Sequence, residues 1–250
     1  MFQTILFSHI DITSYSEASN QIIEWAKKGE SRSIYAANVH MLMEALDSPE
    51  FRAIVNNADM VTPDGMPLVW AMRRKGIKDQ QRVYGPTLML HLLAAAGSEN
   101  IPVGLFGSSE EVLNRLAVRC KEKYPRLNIA LQIAPPFHPL TDIEDRELVQ
   151  QINDSGVRLL FVGLGCPKQE YWIAEHRGII TSVMVGVGAA FDFHAGVIPQ
   201  APAWMQRAGL EWLFRLIREP RRLWKRYLWN NPRFMVLLFG ELLKEKWKRR

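Results

Sequence analysis

Apolar residues along this chain fall into short runs separated by stretches with helical spacing, an alternation that predicts an α/β protein. "SRSIYAANV" (31–39) reads as a strand and leads into a helix over 40–57. "ADMVTPD" (58–64) is a short strand entering a turn. "IPVGLFG" (101–107) is a second strand, and 108–125 a helix in which Ser108 and Glu111 have capping-box spacing. Strand-like "LNIALQI" (127–133), a Pro-rich loop, a helix near 142–155 and the apolar strand "VRLLFVGLG" (157–165) follow. A helix over 167–176 starts with proline at a permitted early position, and "SVMVGVGAAFDF" (182–193) reads as a last strand. Apolar strands alternating with helices imply a parallel sheet covered on both faces.

From Pro199 the pattern changes to two or three helices in series, with Gly196, Pro199 and Pro202 marking the boundary. This divides the chain into an α/β domain, 1–198, and a helical appendage, 199–250. Charge divides it too. Residues 206–250 hold 13 Lys/Arg and 4 Asp/Glu, a net of +9; the rest holds 18 and 22, a net of −4. Five of the eight tryptophans also lie at or beyond 204, so the appendage suits an anionic surface or partner. The two cysteines, Cys120 and Cys166, form no disulfide framework, which makes a reducing, cytoplasmic setting the default. The first residues do not read as a signal peptide, and "FMVLLFGELL" (234–243) is about half the length of a spanning helix.

Two strand ends open through glycine-rich turns into helices, "LFGSSEE" and "VGLGCPKQE". Gly107, Gly163 and Gly165 there either serve tight turns only or let backbone N–H groups approach a phosphate. Lys168 and Gln169 follow on the first helical turn, as surface residues or as contacts to a phosphate and a base or sugar. Asn38 ends the first strand, as a helix cap or a grip on a sugar hydroxyl. Arg82 is either a solvated arginine or a phosphate clamp. Asp192 and His194 would share one face of the last strand, a polar pair more than a metal site. The chain contains no DxD.

In the tail, Arg215, Arg218, Arg222 and Arg226 are spaced to share a face of one helix, although Pro220 interrupts it. Leu223, Trp224, Tyr227 and Leu228 form an apolar face beside them. A basic, aromatic amphipathic helix of this kind lies in a membrane interface or packs on the sheet with its basic face solvated. No recognised nucleic-acid motif accompanies the charge.

"NVHM", "ADMVTPDGMPLVW", "RVYGP", "VGLGCPKQE", "GVGAAFDFHAG" and "APAWMQRAGLEWLFRLIREPRRLWKRYL", in this order between Asn38 and Pro232, resemble the WecG/TagA/CpsF family of bacterial glycosyltransferases. The resemblance implies a Rossmann-like fold and inverting transfer from a UDP-sugar to a polyprenyl-diphosphate-linked sugar, with no metal or other cofactor. In the best known case N-acetylmannosamine moves onto N-acetylglucosaminyl-diphospho-undecaprenol on the way to teichoic acid. It implies a peripheral protein on the inner face of the membrane, no nucleic-acid partner, and an appendage that contributes to the active site. The family's general base falls on Asp64, and its site asparagine, arginine and glutamine on Asn38, Arg82 and Gln169. The appendage arginines that meet the acceptor diphosphate or the membrane fall among Arg215, Arg218, Arg221, Arg222 and Arg226. One position departs: Ala36 stands where relatives often carry threonine, which leaves the donor sugar open.

Read this way, "TPDG" holds a carboxylate on a stiff corner, Pro63 restricting the backbone before Asp64 and Gly65 relieving crowding after it. Two other classes stay open on residues alone: a nucleotide-cofactor oxidoreductase, against which the incomplete glycine fingerprint counts, and a non-catalytic lipid-binding module. The Trp-rich appendage, left uncovered in water, would also favour self-association into a homo-oligomer.

Overall fold

The computed structural model describes residues 1–136 and 138–248; Phe137 in the Pro-rich loop and the last two arginines of the basic tail lie outside the described residues. A hairpin, β1 (Phe2–Ile5) and β2 (Ser8–Asp11), precedes α1 (Tyr15–Lys28), β3 (Arg32–Ala37), α2 (Val39–Asp47), α3 (Pro49–Asn56) and β4 (Met60–Pro63). Then come α4 (Met66–Arg74), α5 (Gly85–Glu99), β5 (Val103–Gly107), α6 (Glu110–Lys123), β6 (Ile129–Ile133), α7 (Asp142–Asp154) and β7 (Leu159–Gly163). The chain closes with α8 (Lys168–His176), β8 (Val183–Gly186), α9 (Ala190–Ala195), α10 (Ala203–Arg207), α11 (Glu211–Arg218) and α12 (Pro220–Lys248).

Strands β3 to β8 form one parallel sheet in the order β4-β3-β8-β7-β5-β6, the Rossmann-like α/β architecture expected. Its strands alternate between two cores. Tyr35, Phe106, Leu160 and Val162 pack on one face with Leu42, Phe51 and Trp172, while Ile34, Leu105, Leu159 and Phe161 pack on the other with Leu88, Leu92 and Phe191. Edge strand β4 is partly shielded by the hairpin, where Asp11 accepts the Val61 N–H at 2.8 Å.

Several sequence expectations are corrected. The helix over 40–57 is two helices: Pro49 disfavours helical backbone at Ser48, whose hydroxyl instead caps α3 through the Phe51 N–H at 3.1 Å. Ser108 adopts a left-handed conformation, φ 58°, so the cap of α6 is Ser109. The last strand stops at Gly186, and Gly188, at φ 53°, turns the chain into α9. Asp192 and His194 therefore do not share a strand face. Two apart on a helix they diverge, and His194 Nε2 donates to the Pro86 carbonyl at 2.8 Å.

Pro220 does interrupt the helical run, separating α11 from α12, and it opens α12, where its missing N–H costs nothing in a first turn. Along α12, Leu223, Tyr227, Asn230, Phe234 and Leu238 recur at helical spacing and are buried. Phe234 and Leu238 join the core that contains Leu42 and Tyr35. Polar pins add to this: Arg233 forks onto Asp47 at 2.5 Å, and buried Lys75 meets Glu241 at 3.1 Å and Glu245. The opposite face of α12 leaves Trp224, Leu228, Trp229, Val236, Phe239 and Trp247 exposed. Among the described residues no helix is long and apolar enough to cross a membrane.

Candidate active site

The turns at the carboxyl ends of β3, β4, β7 and β8 form the floor of a polar cavity of about 740 Å³, where an open α/β sheet presents its ligand edge. The appendage supplies its roof through Glu211, Arg215, Arg222, Arg226 and Asn230. Next to it an apolar groove of about 530 Å³ runs between α4 and α12, lined by Met66, Pro67, Trp70, Tyr227, Leu228 and Met235. A third hollow of about 420 Å³ shares Pro67, Trp70 and Met235 and extends the groove to Phe239 and Leu242. Asn38, His40, Asp64, Glu211, Arg215 and Arg226 line both the polar cavity and the groove. Asp64 thus stands at the doorway between them.

The local sequence explains that placement. As β4 ends at Pro63, the N–H groups of Asp64 and Gly65 both donate to the Ala37 carbonyl on β3, at 2.9 and 3.0 Å. A Cβ at Gly65 would come within 3.2 Å of the Asn38 Cα, tighter than side chains ordinarily pack, so glycine lets the turn lie this close without a shift. The Asp64 carboxylate, 14% exposed, accepts the Gly85 N–H at 3.0 Å and lies 3.8 Å from the Arg82 guanidinium. Burial pushes its pKa up to about 6; Arg82 opposes the shift and Glu211 adds to it.

Asn38 faces both hollows and also caps α2, its Oδ1 accepting from the His40 and Met41 N–H groups at 3.1 and 3.3 Å. Arg82 lines the groove and not the polar cavity. It donates to the Asp64 carbonyl and to Glu211 at 2.8 Å, with its guanidinium 4.0 Å from the Tyr84 ring centre. Gln169 is buried with its amide engaged. Its oxygen accepts from Gly165 and Gly188 N–H, at 3.2 and 3.0 Å, and its nitrogen donates to Glu170 at 2.8 Å. It joins two glycine turns and uses amides that the turn alone would leave for a phosphate. Gly163 and Gly165 line the cavity, whereas Gly107 does not: a Cβ there would meet the Gly163 backbone at 2.6 Å, so that glycine serves strand packing. Lys168 is exposed and outside the lining.

Of the appendage arginines, Arg215, Arg222 and Arg226 reach the polar cavity, while Arg218 and Arg221 are exposed away from it. The Nε atoms of Arg215 and Arg226 are buried and hydrogen-bond to no described residue. Burial lowers the Arg226 pKa, and neighbouring Arg215 and Arg222 add to the effect. Three lining residues carried no individual signal in the sequence. Glu170 is fully buried, its carboxyl pushed up to about 7 by burial. Glu211 joins Arg82 and Tyr84. His40, pushed down to about 4 by burial and Arg226, receives the Asn230 amide at 3.2 Å. Ala36, the position that departs from the resemblance, also lines the cavity. Among the described residues no group of three or more His, Cys, Asp or Glu is arranged to hold a metal ion.

The family model described as "Glycosyl transferase WecG/TagA/CpsF family" matches residues 3–248. A relative from Bacillus spizizenii, N-acetylglucosaminyldiphosphoundecaprenol N-acetyl-beta-D-mannosaminyltransferase, is 30% identical over 231 residues, covering 92% of this chain and 86% of that protein.

Proposed function

The chain belongs to the WecG/TagA/CpsF family of glycosyl transferases, and from that membership we propose that it moves a sugar of N-acetylmannosamine or glucose type from a UDP-sugar to a polyprenyl-diphosphate-linked sugar, inverting the anomeric centre without a metal. The observation that carries this is the position of Asp64 between a polar cavity and an apolar groove. A nucleotide sugar suits the first and a prenyl chain the second. In this reading residues 1–198 are the catalytic body, and 199–250 the appendage that roofs the donor and seats the lipid.

Asp64 takes the proton of the acceptor hydroxyl as its oxygen bonds to the anomeric carbon. The bond from that carbon to UDP breaks, and UDP leaves with the electron pair. Arg215, Arg222 and Arg226 face the cavity in which that negative charge grows. A carboxylate with a pKa of about 6 is mostly ionised at pH 7 yet more basic than an ordinary aspartate, which suits a general base. The direct test is a donor screen: purified chain, a short-chain prenyl-diphosphate N-acetylglucosamine or glucose acceptor, and a panel of UDP-sugars. UDP release that requires the acceptor is expected; acceptor-independent release, or none with any donor, would contradict the proposal.

The exposed aromatic face of α12, with the basic residues around it, supports docking on the anionic inner face of the cell membrane; the same face would pair two copies in the absence of lipid. Trp229→Glu/Phe239→Glu alters only exposed positions. We expect this variant to melt as the parent does but to lose flotation with phosphatidylglycerol vesicles by roughly ten-fold or more. Flotation equal to the parent's would remove the membrane role of this face.

A further inference from the structure

Glu211 opens α11, yet both of its carboxylate oxygens are used on the body of the protein. Oε2 accepts from Arg82 Nη2 at 2.8 Å and Oε1 from the Tyr84 hydroxyl at 2.8 Å. The segment it grips is the one that fixes Asp64. Arg82 Nε donates to the Asp64 carbonyl, Arg82 Nη2 lies 3.8 Å from Asp64 Oδ1, and the Gly85 N–H donates to the same Oδ1 at 3.0 Å. From the far side, the Tyr15 hydroxyl accepts the Tyr84 N–H at 3.0 Å. The side chains of Glu211 and Arg82 are only 15% and 16% exposed, so this pair is shielded from water and removing one partner would leave a charge uncompensated.

We propose that Glu211 is a positioning residue for Asp64: by holding Arg82 and Tyr84 it ties the seating of the appendage to the geometry of the base. The inference rests on the reading of Asp64 as that base. A consequence follows for titration. The charged and titratable groups around Asp64 are Arg82 and Tyr84 on its own side, Tyr15 on α1, His40 on α2, Glu211 and Arg215 on α11, and Arg226 on α12. Of these, Glu211 is the nearby carboxylate that opposes ionisation of Asp64. Neutralising it also frees Arg82 to face Asp64 more fully. Both changes move the Asp64 midpoint the same way, downward.

The experiment uses the full chain with ¹³C-carboxyl-labelled aspartate, and the Asp64 signal is assigned by its loss in Asp64→Asn. In the parent it should titrate near pH 6. In Glu211→Gln, whose carbonyl can still accept from Tyr84, the midpoint should fall by about one pH unit. The acid limb of kcat/KM for UDP release should move with it, while kcat drops roughly ten-fold. Tyr84→Phe, which removes a single hydroxyl, should lower kcat less and leave the midpoint nearly in place. An unmoved Asp64 midpoint in folded Glu211→Gln, or activity in that variant that only follows the folded fraction, would overturn the proposal. Because the carbon signal reads Asp64 whether or not a UDP-sugar is the donor, the two ideas fail separately. A parent that turns over no UDP-sugar while the midpoint shifts refutes the function and leaves the contact. Turnover that needs Asp64 but ignores Glu211 refutes only the inference.

Discussion

Asp64→Asn is expected to lose at least about 10²-fold, and up to ~10⁴-fold, in acceptor-dependent UDP release, the usual contribution of a positioned base. UDP-sugar binding should survive, because the amide oxygen can still accept the Gly85 N–H and Arg82 keeps Glu211. The same substitution should stabilise the protein. The folded pKa of Asp64, about 6, lies above the ordinary 3.8, so the native state holds this proton more tightly than the unfolded chain does. That favourable contribution is fully present below about pH 4 and is lost as pH rises through 6. Near neutral pH the ionised carboxylate is therefore a net cost, of order 2–3 kcal/mol at most. Asparagine removes it, which for a chain of this size raises the melting temperature by roughly 4–10 °C at pH 7.5. Melts at pH 7.5 and at pH 4 should show the gain at the first and not the second. A variant that turns over at the parent rate would exclude Asp64 as the base.

Arg226→Met should be the second most damaging change. This guanidinium lines both hollows, and burial with Arg215 and Arg222 nearby lowers its proton affinity. Its Nε bonds to no described residue, so it bears a desolvation cost that the fold does not recover. Stabilising the charge on a departing UDP or an arriving lipid diphosphate would account for that cost. Losing one such donor typically lowers kcat by about 10²–10³-fold. Methionine fills similar space without charge, so the melting temperature should hold or rise. Arg226→Lys should recover only part of the loss, since a single ammonium cannot present the planar fork. Parent-like kcat in Arg226→Met would assign the arginine to packing alone.

Much of the framework was legible because a strand buried on both faces has to be apolar throughout, as "LLFVG" and "VGLFG" are. The misread segment, 182–193, looks like a strand because Phe191 and Phe193 alternate with Asp192, yet Gly188 turns the chain first. The break at Ser48 lies in the Ser-Pro pair, where helical apolar spacing on both sides masks it. Helices α4 and α5 open with prolines near their first turn, a start signal that the neighbouring Pro-Asp-Gly and Tyr-Gly turns masked.

At the site, legibility followed the range of the interaction. Asp64 is marked as the base by the family resemblance, and the stiffness of its corner is encoded in the residues beside it. Glu211 could not be singled out, because its meaning lies in Arg82 and Tyr84, more than 120 residues earlier. The basic tail was evident, but which arginines face the cavity depends on the phase of two helices meeting at Glu219 and Pro220; Arg218 and Arg221 fall on the outside. Gln169 lines the cavity wall, but its amide oxygen is occupied by the glycine turns on either side.

The sharpest single measurement is the pH dependence of acceptor-dependent UDP release by the unmodified chain. A base at the doorway with a pKa of about 6 predicts that kcat/KM is level above pH 7 and falls ten-fold per unit below 6, with a limb that Asp64→Asn abolishes. A profile flat from pH 7 to 5, or one whose acid limb persists unchanged in Asp64→Asn, would contradict it.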